Sequence, residues 1–273
     1  DLEQASNIQV LLNANVVNIA ALEQGRAVTQ LDIRTLSGLA HSVRARIYVV
    51  ATGGLENARM LLLSNTVVPA GLGNQNDLVG RFFMEHPTMS GFGEIITPVF
   101  RHLPPMYRGR MEAGGRAVNA SFNAAPQFLR EKRLLNITFQ VGVAGRYPFD
   151  KAPDSPSQRS HINMLRASRG LMVDPAAPPA DDDGMLGRWL GIGCACEQVP
   201  NPDSRVSLSD QRDALGLPRI KLDWRLTEQD RLSFIGHLRS LGMEFGALGI
   251  GRMLITLDDD WQWPAKVNGG AHH

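Results

Sequence analysis

The run Arg46-Ile-Tyr-Val-Val50, followed by Ala51-Thr52-Gly53-Gly54 and a helical stretch, constrains this chain more than any other segment. Its β-branched and aromatic residues predict a strand buried on both faces of a parallel sheet. Residues 55–64 then set Leu55, Ala58, Leu61 and Leu62 on one face of a helix. Strand, glycine turn and helix together are half of a βαβ unit. Open α/β sheets bind ligands at the carboxyl ends of their strands, where glycine lets the backbone approach closely. From position alone, Gly53 and Gly54 read equally well as a tight turn or as a nucleotide contact.

Upstream, apolar residues recur at period two: Ile8, Val10 and Leu12, then Val16 and Ile19, then Val28, Leu31 and Ile33. Two or three strands with short turns at 23–25 and 37–38 fit this pattern. Residues 71–87 read as loop. Beyond them lie strand-like segments at 91–96, 118–122, 135–143, 191–199, 205–208 and 219–224. Pro/Gly-rich stretches at 103–115 and 171–187 interrupt them, and the second reads as an exposed loop. Thr227 is a candidate N-cap, and Asp230 three residues on completes a capping-box-like pattern. Leu232, Ile235, Leu238, Leu241, Phe245 and Leu248 then fall near one helical face. The expected fold class is α+β: one end of an α/β nucleotide-binding domain, then a mostly antiparallel sheet with flanking helices.

Composition excludes several functions. The 273 residues carry a formal net charge of +1, with acids and bases interspersed. No basic stripe points to nucleic acid, and no polybasic segment points to an anionic membrane. No apolar run is long enough for a transmembrane segment. Cys194 and Cys196 are spaced poorly for a disulfide and make no zinc site alone, so they read as a buried thiol pair in a strand. No metal motif is present. There is no G-x-G-x-x-G and no Walker loop, since Gly249-Ile-Gly251 has Leu254 where a third glycine would stand.

The remaining chemistry is sparse. His86, before Pro87, reads as a hydrogen-bonded loop residue. Asn201-Pro202-Asp203-Ser204 is a turn by composition. Gln198, just before it, is a candidate for a polar pocket. Arg225 either lines the same cavity or pairs with a surface acid. His272-His273 is either a frayed tail or remnant of a tag, or a general base with its pKa near neutrality.

Taken together, four ordered segments resemble the glucose–methanol–choline flavin oxidoreductases, in the branch of pyranose oxidase, fructose dehydrogenase and gluconate dehydrogenase-like enzymes. They are Val49 through Leu62; Gly71-Leu-Gly73-Asn74 through Met84-Glu85-His86-Pro87; Glu197-Gln198 through Asp223-Trp224-Arg225, with Gly216-Leu-Pro218 between; and Val267-Asn268-Gly269-Gly270-Ala271-His272-His273. The resemblance implies a glutathione-reductase-like FAD-binding domain in discontinuous pieces with a substrate domain between them. Residues 1–90 would be a later part of the FAD domain, 91–255 the substrate domain, and 256–273 the return toward the catalytic loop. Val16 matches the position whose backbone meets the adenine. Ala51, Thr52, Gly53, Gly54 and Asn57 fall in the element beside the adenosine half of FAD. His272, with His273 as neighbour, matches the catalytic histidine, and Gln198 and Arg225 the sugar or alcohol pocket.

The implied reaction is hydride transfer from a CH–OH carbon to the flavin, with histidine as base. An acceptor subunit or a quinone would then reoxidise the flavin. The missing dinucleotide fingerprint and the end at His273 lead to two further expectations: a fragment of a longer protein, and a chain inactive by itself that binds FAD weakly or not at all. Two other readings are a non-catalytic carbohydrate-binding or interaction module built on the substrate lobe, and a nicotinamide-dependent dehydrogenase, which the absent fingerprint disfavours.

Overall fold

The computed structural model describes residues 4–97, 111–118, 120–145, 188–249, 251–255, 257 and 260–263. In chain order the elements begin with β1 (Asn15–Ala21), β2 (Val28–Arg34), β3 (Ala40–Val43) and α1 (Gly54–Leu63). Next come β4 (Thr88–Thr97), β5 (Met111–Ala113), β6 (Arg116–Val118), β7 (Ser121–Asn123), α2 (Pro126–Lys132) and β8 (Ile137–Gly145). The last are β9 (Arg188–Cys196), β10 (Arg205–Arg212), β11 (Pro218–Asp223), α3 (Glu228–Ala247) and β12 (Arg252–Ile255). They divide into two units. One holds the described residues of Asp1–Glu85 and Pro200–Leu226, the other those of His86–Val199 and Thr227–Gly270.

In the first unit, alternation makes a small antiparallel sheet of order β1-β2-β3. Val17 and Ile19 of β1 and Ile33 of β2 turn inward. Helix α1 adds Met60 to a cluster with Ile19 and Leu72. Buried Ser64, just past α1, fastens helix to sheet: its Oγ accepts from Ile19 N at 2.9 Å and donates to Met60 O at 2.7 Å. Strands β10 and β11 form a separate antiparallel hairpin, which packs on α1.

In the second unit, five antiparallel strands run in the order β12-β4-β9-β8-β7. Every second residue faces one core: Ile137, Phe139 and Val141 from β8, and Ile192, Cys194 and Cys196 from β9. The period of two produces this face, because successive side chains leave a strand on opposite sides. Helix α3 covers it with Phe234, Leu238 and Phe245. Phe234, 0% exposed, meets Phe92 edge-on with ring centroids 5.0 Å apart, a favoured aromatic geometry. The expected capping box starts α3: Thr227 accepts from Asp230 N, and the Asp230 carboxylate accepts from Thr227 N.

The α+β expectation of mostly antiparallel sheets with few helices holds, but three details are corrected. Residues 46–50 form no strand: Ile47 is 81% exposed and Val49 83%. No described strand pairs with them, so their apolar side chains have no sheet to enter. The Tyr48 hydroxyl tethers them instead, donating to Thr29 O at 3.0 Å and accepting from Ala45 N at 2.9 Å. Residues 8–12 likewise form no strand, and Ile8, Val10, Leu11 and Leu12 are exposed. The expected face of α3 holds at Leu238, Leu241 and Phe245, but Leu232 and Leu248 are exposed, while Ser233, Phe234 and His237 are buried.

The cysteines are as expected. Both are free and buried on one face of β9, with Sγ atoms 3.7 Å apart. The hydrogen bond with Cys194, together with burial, pushes the Cys196 thiol up, which makes it a poor nucleophile and metal ligand.

His237, 4% exposed, adds a pH dependence. Its Nε2 donates to Leu135 O at 2.8 Å. Burial lowers its pKa below the ordinary 6.5, against the raising effect of that bond. Over that window the unfolded chain binds a proton that the folded chain refuses. Stability is therefore full above 6.5 and falls as pH drops toward the lowered folded value. Urea unfolding midpoints between about pH 7 and pH 5 are expected to fall for the wild type and to fall less for His237→Gln. Equal slopes would contradict the assignment.

Candidate functional site

The strongest local construction lies at the start of α1. Gly53 has φ +92°, which disfavours any side chain, and a Cβ built there meets nothing within 4 Å. The glycine therefore answers a backbone demand, and the space beside it is open. Asn57, one turn into the helix, fixes the turn. Its Oδ1 accepts from Thr52 N at 2.9 Å and Thr52 Oγ1 at 2.7 Å, and its own N donates to Gly53 O at 2.8 Å. Ala51, Thr52, Gly53 and Gly54 are all exposed. No side chain caps the helix start. Val16 pairs with Ile33 in the β1–β2 ladder and packs its side chain against the Ile19–Met60–Leu72 cluster.

On the same helix, Arg59 reaches the β10–β11 hairpin. Its Nη2 binds Asp213 Oδ2 at 2.5 Å, its Nε donates to Pro218 O at 2.8 Å, and its Nη1 reaches Glu56 Oε2 at 3.2 Å. Asp213 also accepts from Leu215 N and Leu217 N, each at 2.9 Å. Desolvation raises the Asp213 carboxyl, but Arg59 and the two backbone N–H groups overcome it and hold the pKa below the ordinary 3.8. One side chain thus joins the glycine–helix motif to the Gly216-Leu-Pro218 motif.

A second joint connects residues 80–83 to the Asn201–Ser204 turn. Gly80 lies so close to β10 that a Cβ there would sit 2.2 Å from Val206 O. Val206 N donates to Gly80 O at 2.7 Å, and Phe83 N to Ser204 O at 2.8 Å. Ser204 Oγ donates to Phe83 O at 2.7 Å and accepts from Arg225 N at 3.2 Å. Arg81 and Arg205 both bind Asp77, and their hydrogen bonds hold its carboxyl below the ordinary value.

Gln198, 4% exposed, belongs to the second unit, whereas Arg225 belongs to the first. The residues flanking Gln198 are pinned. Glu197 N donates to Asn136 O at 2.9 Å, and Glu197 Oε2 accepts from Asn136 N at 2.8 Å. Val199 N donates to Asp230 Oδ1 at 2.7 Å, while Asp230 Oδ2 serves the capping box. The Arg225 guanidinium grips Asp223 with Nη2 at 2.7 Å and Nε at 3.0 Å, the surface-pairing alternative of the sequence reading. His272 and His273 lie outside the described residues. His86 is exposed in its loop.

Arg59, Asp213 and the second role of Asp230 escaped the sequence reading. Asp230 had a signal in its capping spacing. Arg59 and Asp213, 154 residues apart, had none. Among the described residues, no cluster of His, Cys, Asp or Glu could hold a metal ion. No described helix is long and apolar enough to cross a membrane.

No family model matches the chain. The 6'''-hydroxyparomomycin C oxidase of Streptomyces lividus is 45% identical over 243 residues, 86% of this chain and 37% of that protein. The fructose dehydrogenase large subunit of Gluconobacter japonicus is 28% identical over 229 residues, 82% of this chain and 37% of that protein. The 2-methyl-1,2-propanediol dehydrogenase of Mycolicibacterium austroafricanum is 26% identical over 243 residues, 81% of this chain and 38% of that protein. A formate oxidase crystal structure covers 96% of the chain and 48% of its own length, at 15% identity and a TM-score of 0.42. The chain thus spans under two fifths of the length of these sequence relatives. The sequence relatives and the ordered motifs carry the assignment. These relatives bear out the resemblance to the glucose–methanol–choline oxidoreductases, a family of FAD-dependent enzymes, and are consistent with a fragment of one.

The Arg59–Asp213 joint is testable by a double-mutant cycle. Arg59→Met and Asp213→Asn are each expected to destabilise the chain, with a coupling of about 1.5–3 kcal/mol in urea unfolding. Additive effects would mean that the pair does not hold the hairpin to α1.

Proposed function

We propose that this chain supplies adenosine-side and substrate-side parts of an FAD-dependent oxidoreductase acting on a CH–OH group of a sugar or alcohol. The observation that carries the reading is the open glycine turn before α1, held by Asn57, in a chain with these relatives. An exposed backbone of fixed shape that ends in two glycines fits the adenosine half of a dinucleotide. Ala51, Thr52, Gly53 and Gly54 would hold it, with Asn57 keeping the turn in shape and the backbone of Val16 toward the adenine. Residues 1–90 would serve mainly the FAD domain and 91–255 the substrate domain, with 256–273 returning toward the catalytic loop.

FAD, when bound, supplies the two-electron sink that no side chain provides. The work of the chain's own residues is proton transfer and orientation. A lone-pair nitrogen of the His272 imidazole takes the hydroxyl proton, which strengthens the drive to expel hydride from the adjoining carbon. His273 supports it as neighbour. Gln198, its backbone fixed by Glu197–Asn136 and Val199–Asp230, orients donor hydroxyls, and Arg225 is the other candidate on the substrate side. The relatives are named for fructose, 2-methyl-1,2-propanediol and a hydroxyparomomycin, in keeping with a hydroxyl-bearing donor. One of them is a large subunit, which supports a partner subunit as electron acceptor, with a quinone as the other candidate.

The test uses the complete gene product with fructose and 2-methyl-1,2-propanediol among the donors. His272→Ala is expected to lower kcat by about 10²–10⁴-fold while leaving bound flavin unchanged. Unchanged kcat would remove His272 as the base. Sugar binding without any flavin would favour the non-catalytic module instead.

A further inference from the structure

The second unit contains a cavity that the proposed chemistry does not use. It lies between β7, β8, α2 and α3 and measures about 300 Å³, at the small end of the range for small-molecule pockets. Phe122, Phe128, Phe139 and Leu241 give it an apolar lining, and the His237 ring forms part of its wall. The Phe128 and Phe139 ring centroids each stand 6.1 Å from that of His237.

The histidine is what makes this more than a packing gap. A carbonyl oxygen accepts only, so the bond from Nε2 to Leu135 O places the proton on Nε2. Nδ1 then carries a lone pair. It has no hydrogen-bond partner among the described residues, in a side chain more than nine-tenths buried. Burial also favours the neutral ring. Nδ1 is not among the fully buried unpartnered polar atoms, so it meets the open space of the cavity, where a ligand that brings a donor can pair with it. Ser240 Oγ already donates to Gly236 O at 2.9 Å. Exposed Glu244 at the lining disfavours anions.

We propose that this cavity is a second small-molecule site, which takes a small neutral aromatic alcohol whose ring packs among the phenylalanines while its hydroxyl donates to His237 Nδ1. Ring size matches the volume, neutrality matches the largely apolar lining, and the hydroxyl matches the lone pair. The site stands independently of the flavin reading.

Phenol is the probe, with toluene as a control of the same size that lacks a donor. The full chain is titrated by NMR with the histidine side chains labelled with ¹⁵N. Phenol is expected to bind saturably with a Kd of about 1 mM or below and to shift the His237 Nδ1 resonance. Toluene should fill the cavity without moving that resonance. His237→Leu should weaken phenol about tenfold and leave toluene within about twofold. Ala125→Trp, at an exposed lining position that tolerates bulk, should abolish binding of both and keeps the test decisive should His237→Leu fail to fold. No saturable phenol binding, or an unmoved Nδ1 resonance at saturation, would overturn the proposal.

Discussion

A guanidinium that leaves water must find acceptors for its N–H groups, and Arg59 finds them on both sides of a long gap in sequence. Glu56 lies within its own helix, and Asp213 and Pro218 lie in the hairpin between β10 and β11. Asp213 in turn orders the hairpin tip through Leu215 and Leu217. Without this joint, a two-stranded hairpin would have little hydrophobic support, and such hairpins are marginal alone. With it, Pro200–Leu226 becomes part of the unit that carries the glycine turn. The Gly80–Val206 approach and the Ser204 bonds add a second attachment along the same strand. The family's motifs are therefore partly structural, because several of their residues spend their polar groups on each other.

The second unit rests on a different constraint. A sheet with alternate residues turned to one side needs a cover, and α3 supplies it. The same helix begins at a capping box whose Asp230 also fixes Val199, next to Gln198. A local rule of helix initiation thereby sets the backbone at a candidate pocket residue. Burial of His237 under the same cover costs some stability at low pH and leaves Nδ1 without a partner among the described residues.

Some of this was legible in the sequence. Period-two runs gave β1 and β2 though not a strand at 8–12, Thr227 and Asp230 gave the start of α3, and the one-residue spacing of Cys194 and Cys196 gave a buried thiol pair on one strand face. What failed did so for physical reasons. Residues 46–50 have the composition of a buried strand, but composition does not say whether a neighbouring strand pairs with them, and in the described residues none does. The face of α3 was only partly legible: Leu238, Leu241 and Phe245 do face the core, but apolar residues also lie off that face, and Leu232 and Leu248 are exposed where Ser233, Phe234 and His237 are buried. Arg59 and Asp213 meet only through the tertiary fold, which no local pattern encodes. Gly53 read as either a turn or a nucleotide contact. Its positive φ and the open space beside it allow both roles at once.

The central claim is that the turn from Ala51 to Gly54 meets FAD, and flavin content tests it most directly. The complete gene product is purified as wild type and as Gly53→Val, and its visible absorbance is recorded after desalting. The account requires a flavin band in the wild type and its loss or marked reduction in the variant, with the fold retained by circular dichroism. A wild type without flavin, or a Gly53→Val protein that holds it equally well, would contradict the assignment of this turn.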